Sequence, residues 1–504
     1  MRRTGAHALV ETLIAGGVSH VFANPGTSEL AFVPALNAVA GIEAVLVVDE
    51  TVASGAADGL ARMTGRPSAT LLHLGPGLSN AGANLHNAGK ARSPVVNLVG
   101  DHASRHRHLP SPLQSDIAAI ARPLSCWTGD VTDAENVPAM ATAAVEAAAH
   151  HRAPATIVIT SDAAEGVCTT PAGQPRVSTQ PLTDMRAVAA AAHELRQGHV
   201  ALLLGDDTLR AEPLRKAASI AATMGAHLWA PMFNARVQHP GSLPVTLHKL
   251  PYFPGQAHEA LTRYRTVVRI GAQRPLAVFA YPEEPNLLGP DGCIELAGAA
   301  DLDALFDELG CEHLPAAAAG PPPEPSGRLD PFTIGACIGA TAPDGLVVVD
   351  EGQTSSLGLW GALAGRPHDL LALTGGAIGS GPPLAVGAAI GAPGRRVVNL
   401  EGDGSSLYSL GAWWTQASLG LDVTTVVVDN GAYAILDLEL ARGGNRRLSG
   451  GALTSLRSAP LDFVQLAQGY GVPAVRVQDC EGLCTELRRA NATPGPTVIH
   501  AVAR

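Results

Sequence analysis

Lysine is almost absent from this sequence. Of 34 basic residues only Lys90, Lys216 and Lys249 are lysines, and the arginines are scattered among 45 acidic residues for a net charge of −11. No basic stripe is available for a nucleic-acid backbone or an anionic membrane surface. Paired cysteines are missing too. Cys126, Cys168, Cys293, Cys311, Cys337, Cys480 and Cys484 are dispersed, odd in number, and form neither a CxxC pair nor a Cys/His cluster of zinc spacing, so they read as reduced core thiols. Nor is there a long unbroken apolar run. The longest, Leu370 to Pro393, is interrupted by Gly375, Gly376, Gly379, Gly381, Pro382 and Pro383, which argues against a membrane-spanning helix. The first residues, MRRTGAHALVETLIAGG, read as an amphipathic helix containing Glu11 and not as a signal peptide. A soluble, cytoplasmic protein with no nucleic-acid or membrane partner is expected.

What is present is material for several cores. A chain of 504 residues with 46% hydrophobic content should fold as about two to four domains. Two stretches rich in Pro, Ala and Gly, Thr169 to Asp184 and Leu314 to Asp330, show no sustained apolar periodicity and read as joints. They leave segments 1–170, 185–314 and 330–504. In the first, helices over Ala6 to Ala15 and Ser28 to Ala38 alternate with strands at His20 to Ala23, Glu43 to Val48, Ala69 to His73, Val95 to Val99 and Thr156 to Ile159. The middle segment repeats the habit with Val200 to Leu204, a helix over Pro213 to Met224 and Thr266 to Ile270, without a Gly-rich phosphate fingerprint. The third has strands at Leu346 to Val349 and Pro496 to Val502. The fold class expected is α/β, with three consecutive doubly wound parallel sheets and no short solenoid-type repeat.

The chain is organised around Val397 to Tyr433, VVNLEGDGSSLYSLGAWWTQASLGLDVTTVVVDNGAY. An apolar run stops at Gly402-Asp403-Gly404-Ser405, a helix-like segment follows, and a second apolar run, Val423 to Val428, stops at Asp429-Asn430-Gly431. Both turns fall at carboxyl ends of neighbouring strands, where open α/β sheets bind ligands. Asp403 and Asn430, 27 residues on, can there share one hard cation, while Gly404 and Ser405 offer backbone N–H groups to phosphate at a helix start. This pattern resembles the diphosphate-and-magnesium motif of thiamine-diphosphate (ThDP) enzymes. The resemblance implies ThDP and Mg²⁺ as cofactors and Asp403, Asn430 and the Ala432 carbonyl as metal ligands.

The resemblance extends over the chain, with the domain order of the acetolactate synthase and benzoylformate decarboxylase group: pyrimidine-binding, central, diphosphate-binding. Glu50, at the end of AVLVV and before a small-residue stretch ending AADGLAR, resembles the activating glutamate that hydrogen-bonds the aminopyrimidine and promotes removal of the thiazolium proton. The same residue could simply open a helix and compensate its dipole. Gly375-Gly376-Ala377-Ile378-Gly379 resembles the pyrimidine-side loop, with Gly376 supplying a carbonyl and Ile378 the apolar wedge. Asp350-Glu351-Gly352-Gln353-Thr354 resembles a diphosphate-side loop, with Thr354 and Ser405 as donors. Gly26, Asn80, Gly404 and Tyr433 complete the implied cofactor contacts.

On the substrate side, Asn24-Pro25-Gly26-Thr27 is similar to the NPGS loop of benzoylformate decarboxylase, and His73 falls on its proton-relay histidine. Its second active-site histidine falls on Pro282. Leu113-Gln114-Ser115-Asp116 resembles a stretch of acetolactate synthase, which makes Gln114 a candidate substrate contact. That family's Arg and Trp for the second oxo acid fall on Asp437 and Glu439. An acidic pair cannot receive a substrate carboxylate as a guanidinium does, but could face a cationic group or solvent. The resemblance therefore implies decarboxylation of a 2-oxo acid, with aldehyde release or carboligation, in a homodimer or homotetramer with sites between subunits. The alternatives are a catalytically silent ThDP-fold partner subunit and an FAD-containing member of the synthase or oxidase branch.

Overall fold

The structure is a computed structural model that describes residues 2–177, 183–316, 320–443 and 451–503. It contains three parallel-sheet α/β domains. The first sheet comprises β1 (His20–Ala23), β2 (Glu43–Leu46), β3 (Ser68–Leu72), β4 (Val95–Asp101), β5 (Trp127–Val131) and β6 (Ala155–Thr160), in the order β2-β1-β3-β4-β6-β5 with every pairing parallel. Its middle strands are buried along their whole length, as sheets covered by helices on both faces require. The middle segment provides β7 (Val200–Leu204), β8 (His227–Ala230), β9 (Val237–Pro240), β10 (Leu247–Lys249), β11 (Thr266–Ile270) and β12 (Cys293–Leu296). Five of these form a parallel sheet in the order β10-β8-β7-β11-β12. The third sheet is built from β13 (Leu346–Glu351), β14 (Pro367–Ala372), β15 (Val397–Gly402), β16 (Val423–Asp429), β17 (Ala474–Val477) and β18 (Thr497–Val502).

Two features depart from the sequence expectation. Strand β9 leaves the middle sheet and pairs antiparallel with β14, so the third sheet runs β17-β18-β16-β15-β13-β14-β9 and the middle segment is stitched into it. The helix expected over Ser28 to Ala38 is instead a 3₁₀ turn, Thr27–Glu29, followed by a helix from Phe32 to Ala38. Glu29 causes the tight turn: its carboxylate points inward and accepts from Gly26 N at 3.0 Å and from Ser28 Oγ at 2.6 Å.

The small residues after Glu50 have a packing role. Helix Glu50–Thr64 crosses helix Gly381–Gly391, and a Cβ at Gly59 would collide with the Leu384 carbonyl, one at Gly387 with the Ala56 carbonyl. Backbones this close need glycine at the crossing, and the contact joins the first and third domains. Beside it, buried Arg62 pairs with Asp58 at 2.5 Å and donates to the Ala372 carbonyl at 2.8 Å and to Thr374 Oγ1 at 3.1 Å. Arg62 thus fixes the end of β14, from which the Gly375–Gly379 loop departs. Among the described residues no helix is long and apolar enough to cross a membrane.

Candidate active site

Glu50 is the first residue of its helix. Asp49 caps that helix by accepting from Thr51 N at 2.6 Å, which leaves the Glu50 side chain free to turn toward the first sheet. There it is 6% exposed and held by two amides: Asn24 Nδ2 donates to Oε1 at 3.2 Å and Asn80 Nδ2 donates to Oε2 at 3.0 Å. Gly77 lies against the carboxylate, where a larger residue would crowd it. Next to this pair, His73 stands just before the helix carrying Asn80 and directs Nδ1 to Glu29 Oε2 at 2.8 Å and to Ser28 Oγ at 3.2 Å. Glu29 is fully buried, and a Cβ at Gly26 would collide with the His73 ring. Thr27 stands exposed at the start of the same turn, and Gln114 is exposed in the turn whose backbone N donates to the Ser111 carbonyl at 3.0 Å.

The second constellation belongs to the third domain. Asp403 follows β15 and is 2% exposed, with Oδ1 accepting from Gly404 N at 2.8 Å and Oδ2 from Gly431 N at 2.7 Å. The second bond ties the acidic turn to the Asn-Gly turn, so Asp403 and Asn430 do meet. Asn430 Oδ1 accepts from Ala432 N at 2.9 Å, and Tyr433 N donates to the Thr454 carbonyl at 2.8 Å. Burial pushes Asp403 up to about 6, against the pull of the backbone donors. The Tyr433 ring covers Gly404, where a Cβ would strike it, and its phenol is raised by burial and by Tyr408 and Asp403. Among the described residues no group of three or more His, Cys, Asp or Glu could hold a metal ion. A cation here would depend on hard oxygens of mixed kind: a desolvated carboxylate, an amide oxygen and a carbonyl. This is a donor set that suits Mg²⁺ and not a softer metal.

Beside the acidic turn runs the glycine loop. Gly376, φ +78°, is exposed, and Ile378 is half-buried beside it. Asn87 of the first domain grips the loop from both sides, donating Nδ2 to the Ala377 carbonyl at 2.8 Å and accepting from Ala377 N at 3.2 Å, while His86 Nε2 meets the Gly375 carbonyl at 3.1 Å. Gly379, φ +87°, abuts Tyr408, which brings the loop next to the acidic turn. Thr354 is half-buried in the 3₁₀ turn Gln353–Ser356 after β13. The Ser405 hydroxyl turns inward to Glu401 Oε1, leaving its backbone N–H at the start of the short helix Asp403–Ser406.

Asp437 and Glu439 do not form an open acidic pair. Tyr281 Oη donates to Glu439 Oε1 at 2.9 Å, and Arg442 packs 3.9 Å over the Tyr281 ring and 4.9 Å over Phe253 while pairing with Glu284. Asp437 is likewise engaged. Glu439 thus locks the helix after Asn430 onto the middle domain and is no vacant receptor for a cationic substrate.

Sequence reading missed Glu29, Asn87 and the inward carboxyl Glu401. Asn87 carried a usable signal, since it lies seven residues after Asn80 on the same helix. Glu29 did not, because a glutamate after Ser28 reads as an ordinary helix-start residue.

The family described as thiamine pyrophosphate enzyme, N-terminal TPP binding domain, matches residues 3–121, and its counterpart, the C-terminal TPP binding domain, matches residues 353–501. IlvX of Mycobacterium tuberculosis, whose name places it with acetolactate synthase large subunits, is 44% identical over 99% of this chain and 98% of its own. Benzoylformate decarboxylase of Pseudomonas aeruginosa is 27% identical over 99% and 98%. Among solved structures, a thiamin diphosphate-dependent enzyme of Mycobacterium smegmatis superposes with a TM-score of 0.86 at 26% identity over the whole of both chains. The 4-hydroxybenzoylformate decarboxylase of Rhodococcus jostii shares the fold with a TM-score of 0.85 at 24% identity, over 99% of each chain. The chain belongs to the thiamine-diphosphate-dependent enzymes, of the acetolactate synthase and benzoylformate decarboxylase kind.

Proposed function

We propose that this protein uses ThDP and Mg²⁺ to decarboxylate a 2-oxo acid, with the remaining fragment released as an aldehyde or passed to an acceptor, in sites completed by a second copy of the chain. The observation that supports this reading best is the pair of half-sites. Among the described residues, Glu50 has side-chain partners from the first domain alone, and Asp403 from the third alone. Large apolar side chains lie exposed beside both, Leu46 and Val48 before Glu50 and Leu407 and Tyr408 after Asp403. Such apolar borders suit a surface that another copy covers.

When bound, ThDP supplies the electron sink for the carbon left by carbon dioxide. The chain supplies the rest. Glu50, with both oxygens oriented by Asn24 and Asn80, would share a proton with the aminopyrimidine nitrogen. Asp403, Asn430 and the Ala432 carbonyl would hold the cation, and the backbone N–H of Ser405, beside the Gly404 N–H that Asp403 takes, would face the diphosphate. Gly376 and Ile378 would hold the pyrimidine side. His73, with Nδ1 committed to Glu29 and Ser28, presents Nε2 to the substrate, where it moves protons beside Thr27. Gln114 and Thr354 are outer contacts to substrate and diphosphate.

Calorimetric titration of the protein with ThDP and MgCl₂, followed by carbon dioxide release from a panel of 2-oxo acids, tests this reading. Binding with release that disappears in Glu50→Gln supports it. Binding without release from any acid points to a silent partner subunit, and no binding overturns it.

A further inference from the structure

The end of β13 carries a glutamate for which the proposed reaction has no use. Glu351 pairs in register with Glu401 of β15, and both side chains are buried, 1% and 0% exposed. Two carboxyls side by side in a core are costly unless they share a proton and their remaining lone pairs are satisfied. Here both Oε2 atoms face the backbone of Gly381, within 3.0 Å of the place a Cβ would take there, so the two carboxyls share one small space beneath the loop.

Their outer partners are the informative part. Glu351 Oε1 accepts from Gly379 N at 2.7 Å, and Oε2 accepts from Gly381 N and, at 3.3 Å, from Ser380 Oγ. One carboxylate thus grips the whole turn Gly379–Gly381, which ends the loop of Gly376 and Ile378 and begins the helix packed on the Glu50 helix. Glu401 Oε1 takes the hydroxyl of Ser405, in the acidic turn. Glu401 Oε2 has no hydrogen-bond partner among the described residues and lies with Glu351 Oε2 around the Cβ position of Gly381, where any side chain would collide. The two carboxyls therefore bridge the pyrimidine-side loop and the diphosphate-side turn from beneath.

We propose that Glu351 is a positioning residue of the cofactor site: supported by the Glu401 carboxyl, it sets the Gly379–Gly381 turn so that Gly376 and Ile378 stand at a fixed spacing from Ser405 and Asp403. This inference rests on the ThDP reading above. Glu351 touches no ligand itself. It accepts two backbone N–H groups at once, which a carboxylate does and an amide does not, because the NH₂ of glutamine opposes one of them. Glu401 Oε1 accepts the Ser405 hydroxyl, which the carbonyl of a glutamine can still do and a leucine cannot.

The test is calorimetric affinity for ThDP at fixed MgCl₂, together with the rise in unfolding temperature that ThDP produces, on wild type, Glu351→Gln, Glu401→Gln and Glu401→Leu. Glu351→Gln should bind ThDP at least about tenfold more weakly, the scale of one charged hydrogen bond lost. Glu401→Gln should stay within about threefold of wild type, and Glu401→Leu should weaken binding as Glu351→Gln does. This rescue by the amide at one position and not the other is what a merely space-filling pair would not produce. Wild-type affinity in folded Glu351→Gln overturns the proposal. If that variant does not fold, equal affinities of Glu401→Gln and Glu401→Leu overturn it. Failure of the wild type to bind ThDP would instead sink the cofactor reading.

Discussion

Glu50 in the first domain and Asp403 in the third both stand just beyond parallel strands, but their surroundings differ in kind. Neutral side-chain amides hold both oxygens of Glu50 at a helix start, with no other carboxylate among its hydrogen-bond partners. Among the described residues Asp403 has only backbone N–H partners, and Asp429 adds to the burial that pushes it up to about 6. Beneath it lie two more buried carboxyls, Glu351 and Glu401. The Glu50 carboxylate is thus held from both sides within the first domain, as the proposed proton-sharing role requires. The second half-site is left with excess acidity that a cation would offset, which is why the same residue chemistry suits a base on one side and a metal ligand on the other.

The strongest way to separate the halves is to remove each carboxylate in turn. Glu50→Gln should retain ThDP and Mg²⁺ binding by calorimetry yet lose about 10²- to 10⁴-fold of carbon dioxide release. Asp403→Ala should lose cofactor binding itself. If Glu50→Gln abolished binding, or Asp403→Ala spared it, the contrast between the halves would collapse. Arg62→Met sharpens the comparison at the seam between the domains, since it leaves Asp58 buried without its partner and frees the end of β14. A loss of about 3–5 kcal/mol in denaturant unfolding is expected. Within the first half-site, Glu29→Gln should lower turnover by about tenfold through His73, with ThDP affinity unchanged, because it weakens one charged hydrogen bond and touches no cofactor group.

A smaller effect reports on the stitch between the middle and third domains. His239 on β9 and His368 on β14 stack at 5.2 Å, and burial pushes His239 down to about 3 and His368 below its usual value. Both imidazoles take up protons below about pH 6.5 in the unfolded chain but resist them in the folded one. Stability should therefore fall as pH drops from about 6.5 toward 3, by about 1.4 kcal/mol per pH unit for His239, with His368 adding in the same direction and neither contributing above about pH 7. Urea unfolding across this range should show a shallower slope in the His239→Phe, His368→Phe variant.

The sheets were readable because their strands are long, buried apolar runs ending in Gly, Asp or Asn turns. Val200 to Leu204 and Thr266 to Ile270 form strands with the expected ends. Strand β9 was not readable, since VQHP has no apolar alternation and pairs only because β14 lies alongside. The meeting of Asp403 with Asn430 followed from two turns at neighbouring strand ends. What could not be read was direction. Glu29 and Glu401 look like surface or turn residues until the fold turns them inward, and the small face after Glu50 shows its purpose only against Gly387 of a helix more than 300 residues away.

The most direct test of the account is complementation between defective copies. Glu50→Gln and Asp403→Ala proteins are each prepared inactive, co-expressed so that mixed dimers form, and assayed for carbon dioxide release from the 2-oxo acid that wild type turns over fastest. If each site takes Glu50 from one copy and Asp403 from another, mixed dimers contain one intact site and activity returns toward half that of wild type per dimer. Mixed dimers that assemble and remain inactive would contradict a site shared between copies.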